Sequence, residues 1–242
     1  MKIRILLLSV IFFTINIYSQ VTFQAGVGLG YTIPTGDMTG NTTDFYNGNK
    51  YGLSNGINLH AKARIGIISF NVFGEADYST FSNTGESEPG QGEVEVSQKI
   101  LSLKAGPEFS LGLPLIPITP YANLFISVNT ISGEVKIQGV SGVPSGTEDI
   151  KSATRYGFGA GAGVVFDVSE NISLDLNLQY NNANAFGKEF NLGDPTSHER
   201  LDNYTSLNDD KDPLYGLNND RIISKSRSLS SFEVKATVMF GI

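Results

Sequence analysis

Residues 231–242 read S-F-E-V-K-A-T-V-M-F-G-I. Phe232, Val234, Ala236, Val238, Phe240 and Ile242 are apolar, and the residues between them, Ser231, Glu233, Lys235, Thr237 and Met239, are mostly polar or charged. A period of two defines a β-strand with one oily and one wet face. Such a strand has to be paired, because an open apolar edge invites aggregation. Closing it against the first strand of the chain meets that need.

Working outward, the same alternation recurs. Residues 21–33 set Val21, Phe23, Ala25, Val27, Leu29, Tyr31 and Ile33 against a glycine-rich face, and Pro34 ends the run. Residues 34–55 are a loop by composition, rich in Gly, Asn, Thr and Asp. Strands follow over 56–66 and 68–81, then a polar loop over 83–92. In the fourth strand Leu101, Leu103 and Ala105 share a face, but Val94 and Val96 are out of phase with it. Either a bulge lies near 98–100, or the valines belong to an extension beyond the membrane. Residues 111–118 carry two prolines and form a turn. Residues 119–128 form the fifth strand, with Pro120 tolerated at its start. The connection over 130–154 is long enough to hold β-structure of its own. A hairpin over 156–166 and 172–181 turns at 169–171, and a long polar loop over 182–227 leads to the closing strand. The reading gives eight strands joined by alternately long and short connections.

Composition narrows the class. The 242 residues carry a net charge of −7 and no Cys, which excludes disulfides, thiol catalysis and cysteine metal sites. No basic run suggests nucleic acid. Residues 1–20 read as a secretory signal peptide, with Lys2 and Arg4 before an apolar centre, leaving 21–242 as one exported domain. Any membrane crossing by that domain has to be made by strands.

Charge decides which face meets lipid. If the apolar faces point outward, the interior receives Lys62, Arg64, Lys104, Arg155 and Lys235 against Glu75, Asp77, Glu108, Asp175 and Glu233, with His60 among them. Opposite signs in equal number suit groups that must pair once removed from bulk water. The apolar face also carries aromatics near both ends of its strands: Phe23 and Tyr31, Phe70 and Tyr78, Tyr156 and Phe166, Phe232 and Phe240, and Tyr180. Aromatic girdles of this kind flank the apolar band of membrane barrels. The expected topology places the tyrosines at the outer rim and phenylalanines at the periplasmic rim. The fold expected is therefore an all-β, eight-stranded antiparallel transmembrane up-and-down barrel.

On these features the chain resembles the small bacterial outer-membrane β-barrels of the OmpX and OmpA transmembrane-domain type. The resemblance implies location in the bacterial outer membrane, contact with its lipid and lipopolysaccharide, and assembly by the barrel assembly machinery. Its C-terminal signal usually ends on an aromatic, where this chain has Ile242. It implies a structural or interaction role in the cell envelope. The alternatives are a small passive pore and a soluble lipocalin-like ligand-binding barrel.

Motifs with other chemistry are weak. Gly157, Gly159 and Gly161, with Ala162, match a dinucleotide fingerprint, with Asp175 downstream, but that fingerprint needs a strand before it and a helix after it. Here the alternation continues into another strand, so steric room for Arg64, Lys235, Tyr121 and Phe125 is the expected role of the inward glycines. Ser197, His198 and Glu199 supply hydrolase residue types without an oxyanion hole. Asp209, Asp210 and Asp212 lack calcium-loop spacing. No enzyme activity, cofactor or metal site is expected.

Overall fold

The structure is a computed structural model, and it describes residues 21–46, 50–67, 69–112, 118–187, 190–192, 209–211, 222–224 and 227–241. Residues 1–20, read above as a signal peptide, and Ser197, His198, Glu199, Asp212 and Ile242 lie outside them.

The staves are β1 (Val21–Thr35), β2 (Gly56–Ile67), β3 (Phe70–Glu88), β4 (Gln91–Ser110), β5 (Ile118–Gln138), β6 (Gly146–Ser169) and β7 (Ile172–Phe186). Three short strands, β8 (Phe190–Leu192), β9 (Asp209–Lys211) and β10 (Ile222–Ser224), form a separate small sheet before the last stave, β11 (Ser230–Gly241). The barrel closes in the order β1-β11-β7-β6-β5-β4-β3-β2, with every neighbouring pair antiparallel. The closing pair sets Leu29 opposite Ala236 and Tyr31 opposite Val234. Closure leaves no open edge, which a strand crossing lipid cannot tolerate. No helix among the described residues is long and apolar enough to cross a membrane, a fact that does not bear on crossing by strands.

Two sequence expectations change, and one open pair of alternatives is decided. β1 continues through Pro34 to Thr35. It can do so because pairing with β2 stops at Thr32, so beyond that point β1 has only β11 beside it and a missing N–H is tolerated. The expected loop over 83–92 is a tight turn at 89–90 between strands, and the connection over 130–154 does carry β-structure: β3, β4, β5 and β6 run on as a four-stranded wall. Of the two alternatives for Val94 and Val96 the extension holds, since no bulge occurs near 98–100. The register between β3 and β4 is continuous from Phe70↔Phe109 to Glu86↔Glu93, and the shifts fall elsewhere, one between Ile131 and Gly133.

The valine puzzle resolves as an inversion of character along unbroken strands. On the lower part of β4, Leu101 and Leu103 face out and Ser102 and Lys104 face in. Above Ile100 the inward positions become Val96 and Val94, both fully buried, while Glu93 and Glu95 take the outer face. Below that level the outside is apolar and the inside polar; above it the reverse holds. That is the pattern required of a strand passing from lipid into water while enclosing a core of its own.

That second core lies over the outer mouth. Val94, Val96, Ile100, Ile131, Val135, Ile137 and Ile150 supply it from the wall. The connection after β1, expected to be a plain loop, folds inward against it. Its short helix α1 (Thr42–Tyr46) buries Phe45 and Tyr46, and Met38, Tyr51 and Leu53 join them. Hydrogen bonds fix this arm: Thr42 Oγ1 donates to the Glu86 carbonyl at 2.8 Å, and Asn83 Nδ2 donates to the Gly52 carbonyl at 2.7 Å. Ala183 and Leu229 close the other side.

Candidate functional site

Strand pleating aims alternate residues of each stave at the axis. In this barrel those residues fill the lumen in layers. Of the lumen residues read from the sequence, His60, Lys62, Arg64, Glu75, Asp77, Lys104, Glu108, Arg155, Asp175, Glu233 and Lys235 are each buried. They do not form one network.

The lower group joins Lys62 and Arg64 to Glu108 and Asp175. Lys62 Nζ lies 3.0 Å from Glu108 and 2.9 Å from Asp175, and Arg64 Nη1 lies 3.1 Å from Glu108. The Tyr121 hydroxyl donates to Asp175 at 2.6 Å, and Arg64 Nε donates to Gln24 at 2.7 Å. The Lys62 ammonium also sits 4.6 Å from the centre of the Tyr121 ring. Two cations meet two carboxylates here, so the group is neutral.

The upper group joins Lys104 and Lys235 to Glu75, Asp77 and Glu233. Lys104 Nζ is 3.0 Å from Asp77 and 2.6 Å from Glu233, and Lys235 Nζ is 2.6 Å from Asp77 and also pairs with Glu75 and Glu233. The three carboxylates have oxygens within 4.8 Å of one another. Two ammonium groups among them offset two of the three carboxylates, leaving one negative charge in excess. Phe73 and Phe125, edge to face with centroids 6.3 Å apart, stand beside both groups: Lys62 lies over Phe73 and Lys104 over Phe125. Arg155 sits apart, donating to the Thr154 carbonyl, and takes no part in the ion pairs of either group among the described residues.

His60 links the upper group to β11, which lies on the other side of β1. Its Nδ1 is 2.8 Å from Asn58 Oδ1 and its Nε2 is 2.8 Å from Thr237 Oγ1. Asn58 Nδ2 donates to Ser79 Oγ, which donates to Asp77. Because the Asn58 oxygen can only accept, Nδ1 carries the proton and Nε2 accepts from the Thr237 hydroxyl. Hydroxyl, imidazole and amide stand in the order of nucleophile, base and orienting group. Thr237 and His60 are only 2% and 3% exposed inside a filled interior, so no substrate can reach them. The chain's role is to tie β2, β3 and β11 together.

The inward glycines give the long side chains their space. A Cβ on Gly159 would meet the Phe125 ring, one on Gly163 the Tyr121 ring, and one on Gly30 the Lys235 stem. At Gly28 the group accommodated is His60, whereas Arg64 faces no glycine in this way. The fingerprint over 157–162 therefore lies within β6 and has no helix after it.

Outside, Phe23, Tyr31, Phe70, Tyr78, Tyr156, Tyr180, Phe232 and Phe240 are exposed; Phe166 is half-buried. Leu29, Ile57, Leu124 and Ile126, each about 60–70% exposed, share that outer face. A contiguous apolar belt of this extent is not stable against water. At the outer level Phe232 packs on Tyr180 with centroids 5.3 Å apart, so that rim mixes Phe with Tyr. Sequence reasoning missed the cap core, the Asn58–His60–Thr237 chain and the Tyr121 hydroxyl in the lower ion group. The cap alone left a trace, the large apolar residues inside a Gly- and Asn-rich stretch.

Residues 5–207 match the family model described as outer membrane protein beta-barrel domain. No curated protein matches the chain. Among solved structures it is similar to Neisserial surface protein A, at 16% identity over 91% of this chain and 96% of that one, with a TM-score of 0.47. It is similar also to the N-terminal barrel domain of Pseudomonas aeruginosa OprF, at 11% identity over 92% and 98%, TM-score 0.41. A third likeness is to the attachment invasion locus protein of Yersinia pestis, at 14% identity over 91% and 98%, TM-score 0.38.

Proposed function

The chain belongs to the outer membrane protein beta-barrel domain family, and from that premise we propose that it is a sealed, non-conducting barrel of the bacterial outer membrane. Its work is structural and interactive: it anchors the wall of β3–β6 and the packed arm of residues 36–53 outside the membrane. The observation that carries this reading is the bridging of the lumen by ion pairs from opposite staves, Lys104 on β4 with Glu233 on β11 among them. An eight-stranded barrel has room for little more than its own side chains. Here those side chains are charged, mutually paired and covered by an apolar cap, so an ion entering would have to break buried pairs. The role is non-enzymatic, and export uses residues 1–20 as a cleaved signal.

The test is electrical. Purified protein whose migration on gels shifts on heating, as folded outer-membrane barrels do, is inserted into planar bilayers. The expected result is no steady current. Large, stable single-channel currents would favour the small-pore reading and reject this one.

A further inference from the structure

We draw no further inference here: the strongest candidate, the exposed outer face of the β3–β6 wall, where Glu86 stands opposite Glu93 and Glu134 opposite Asp149, carries nothing, because it is a surface cluster of carboxylates and nothing among the described residues shows what covers it.

Discussion

Lys104 and Glu233 are 129 positions apart in the chain and on diametrically opposed staves, yet Lys104 Nζ and Glu233 Oε2 lie 2.6 Å apart in the middle of the lumen. The interior is therefore narrow enough to be spanned by two side chains. The surplus of carboxylates in this upper group makes the two partners unequal. Lys104→Met leaves three carboxylates with one ammonium, and removing one partner of a buried pair costs roughly 3–5 kcal/mol. Glu233→Gln leaves two of each sign and should cost clearly less. Denaturant unfolding of both variants in lipid checks the ranking; equal losses, or a larger loss for Glu233→Gln, would contradict it.

Gly159→Leu should fail to assemble. Its Cβ would run into the Phe125 ring and the Tyr180 carbonyl, and the carbonyl belongs to the sheet and cannot move aside. Gly74 points outward with the nearest atom at 4.0 Å, so Gly74→Ala should assemble normally. The heat-dependent gel shift reads both. Normal assembly of Gly159→Leu would count against an inward-facing glycine at that position.

Gln98 is 1% exposed, and among the described residues neither its amide nitrogen nor its oxygen has a hydrogen-bond partner; it lies between Val96 and Ile100 on the inward face of the cap. A buried polar group without a partner costs about 1–3 kcal/mol. Gln98→Leu, similar in size and apolar, should raise the unfolding midpoint by a comparable amount. A fall in the midpoint would show that the amide is satisfied in some other way.

Tyr51, in the cap, has its phenol pushed above the ordinary tyrosine value by burial, with the Arg227 guanidinium 4.3 Å from its ring centre acting in the opposite direction. Unfolded, the same phenol titrates at about 10. Between the two values only the folded state keeps the proton. The stabilisation is therefore complete below about 10 and is lost as pH rises through the folded value. Subtracting the tyrosinate absorbance of Tyr51→Phe from that of the native protein should show Tyr51 ionising at higher pH than an exposed tyrosine. Ionisation at the ordinary value would place Tyr51 at the surface.

The period-two pattern made the staves legible, because lipid outside and paired charge inside hold one phase for the length of each membrane strand. Which charge meets which was not legible. Lys62 and Asp175, or Lys235 and Asp77, come together only when the ring closes, and no spacing along the chain encodes that. The cap was hidden for a different reason. At Ile100 the inward face passes from a polar lumen into an apolar core, so Val94 and Val96 break the alternation although the strand itself is unbroken. Residues 34–55 misled in the same way. Their Gly and Asn content reads as loop, while Met38, Phe45, Tyr51 and Leu53, each 1–2% exposed, hold that arm against the wall.

The exchange of faces along β4 is the central claim, and the absence of native cysteine allows a direct measurement of it. Single cysteines at positions 93, 95, 101 and 103, each carrying a nitroxide, are reconstituted in lipid and relaxed with oxygen and with a water-soluble nickel complex. The labels at Leu101 and Leu103 should respond mainly to oxygen, which concentrates in the bilayer, and those at Glu93 and Glu95 mainly to nickel. Nickel access at all four positions, or oxygen-dominated relaxation at Glu93 and Glu95, would contradict a strand that leaves the membrane near Ile100 and turns its apolar side inward.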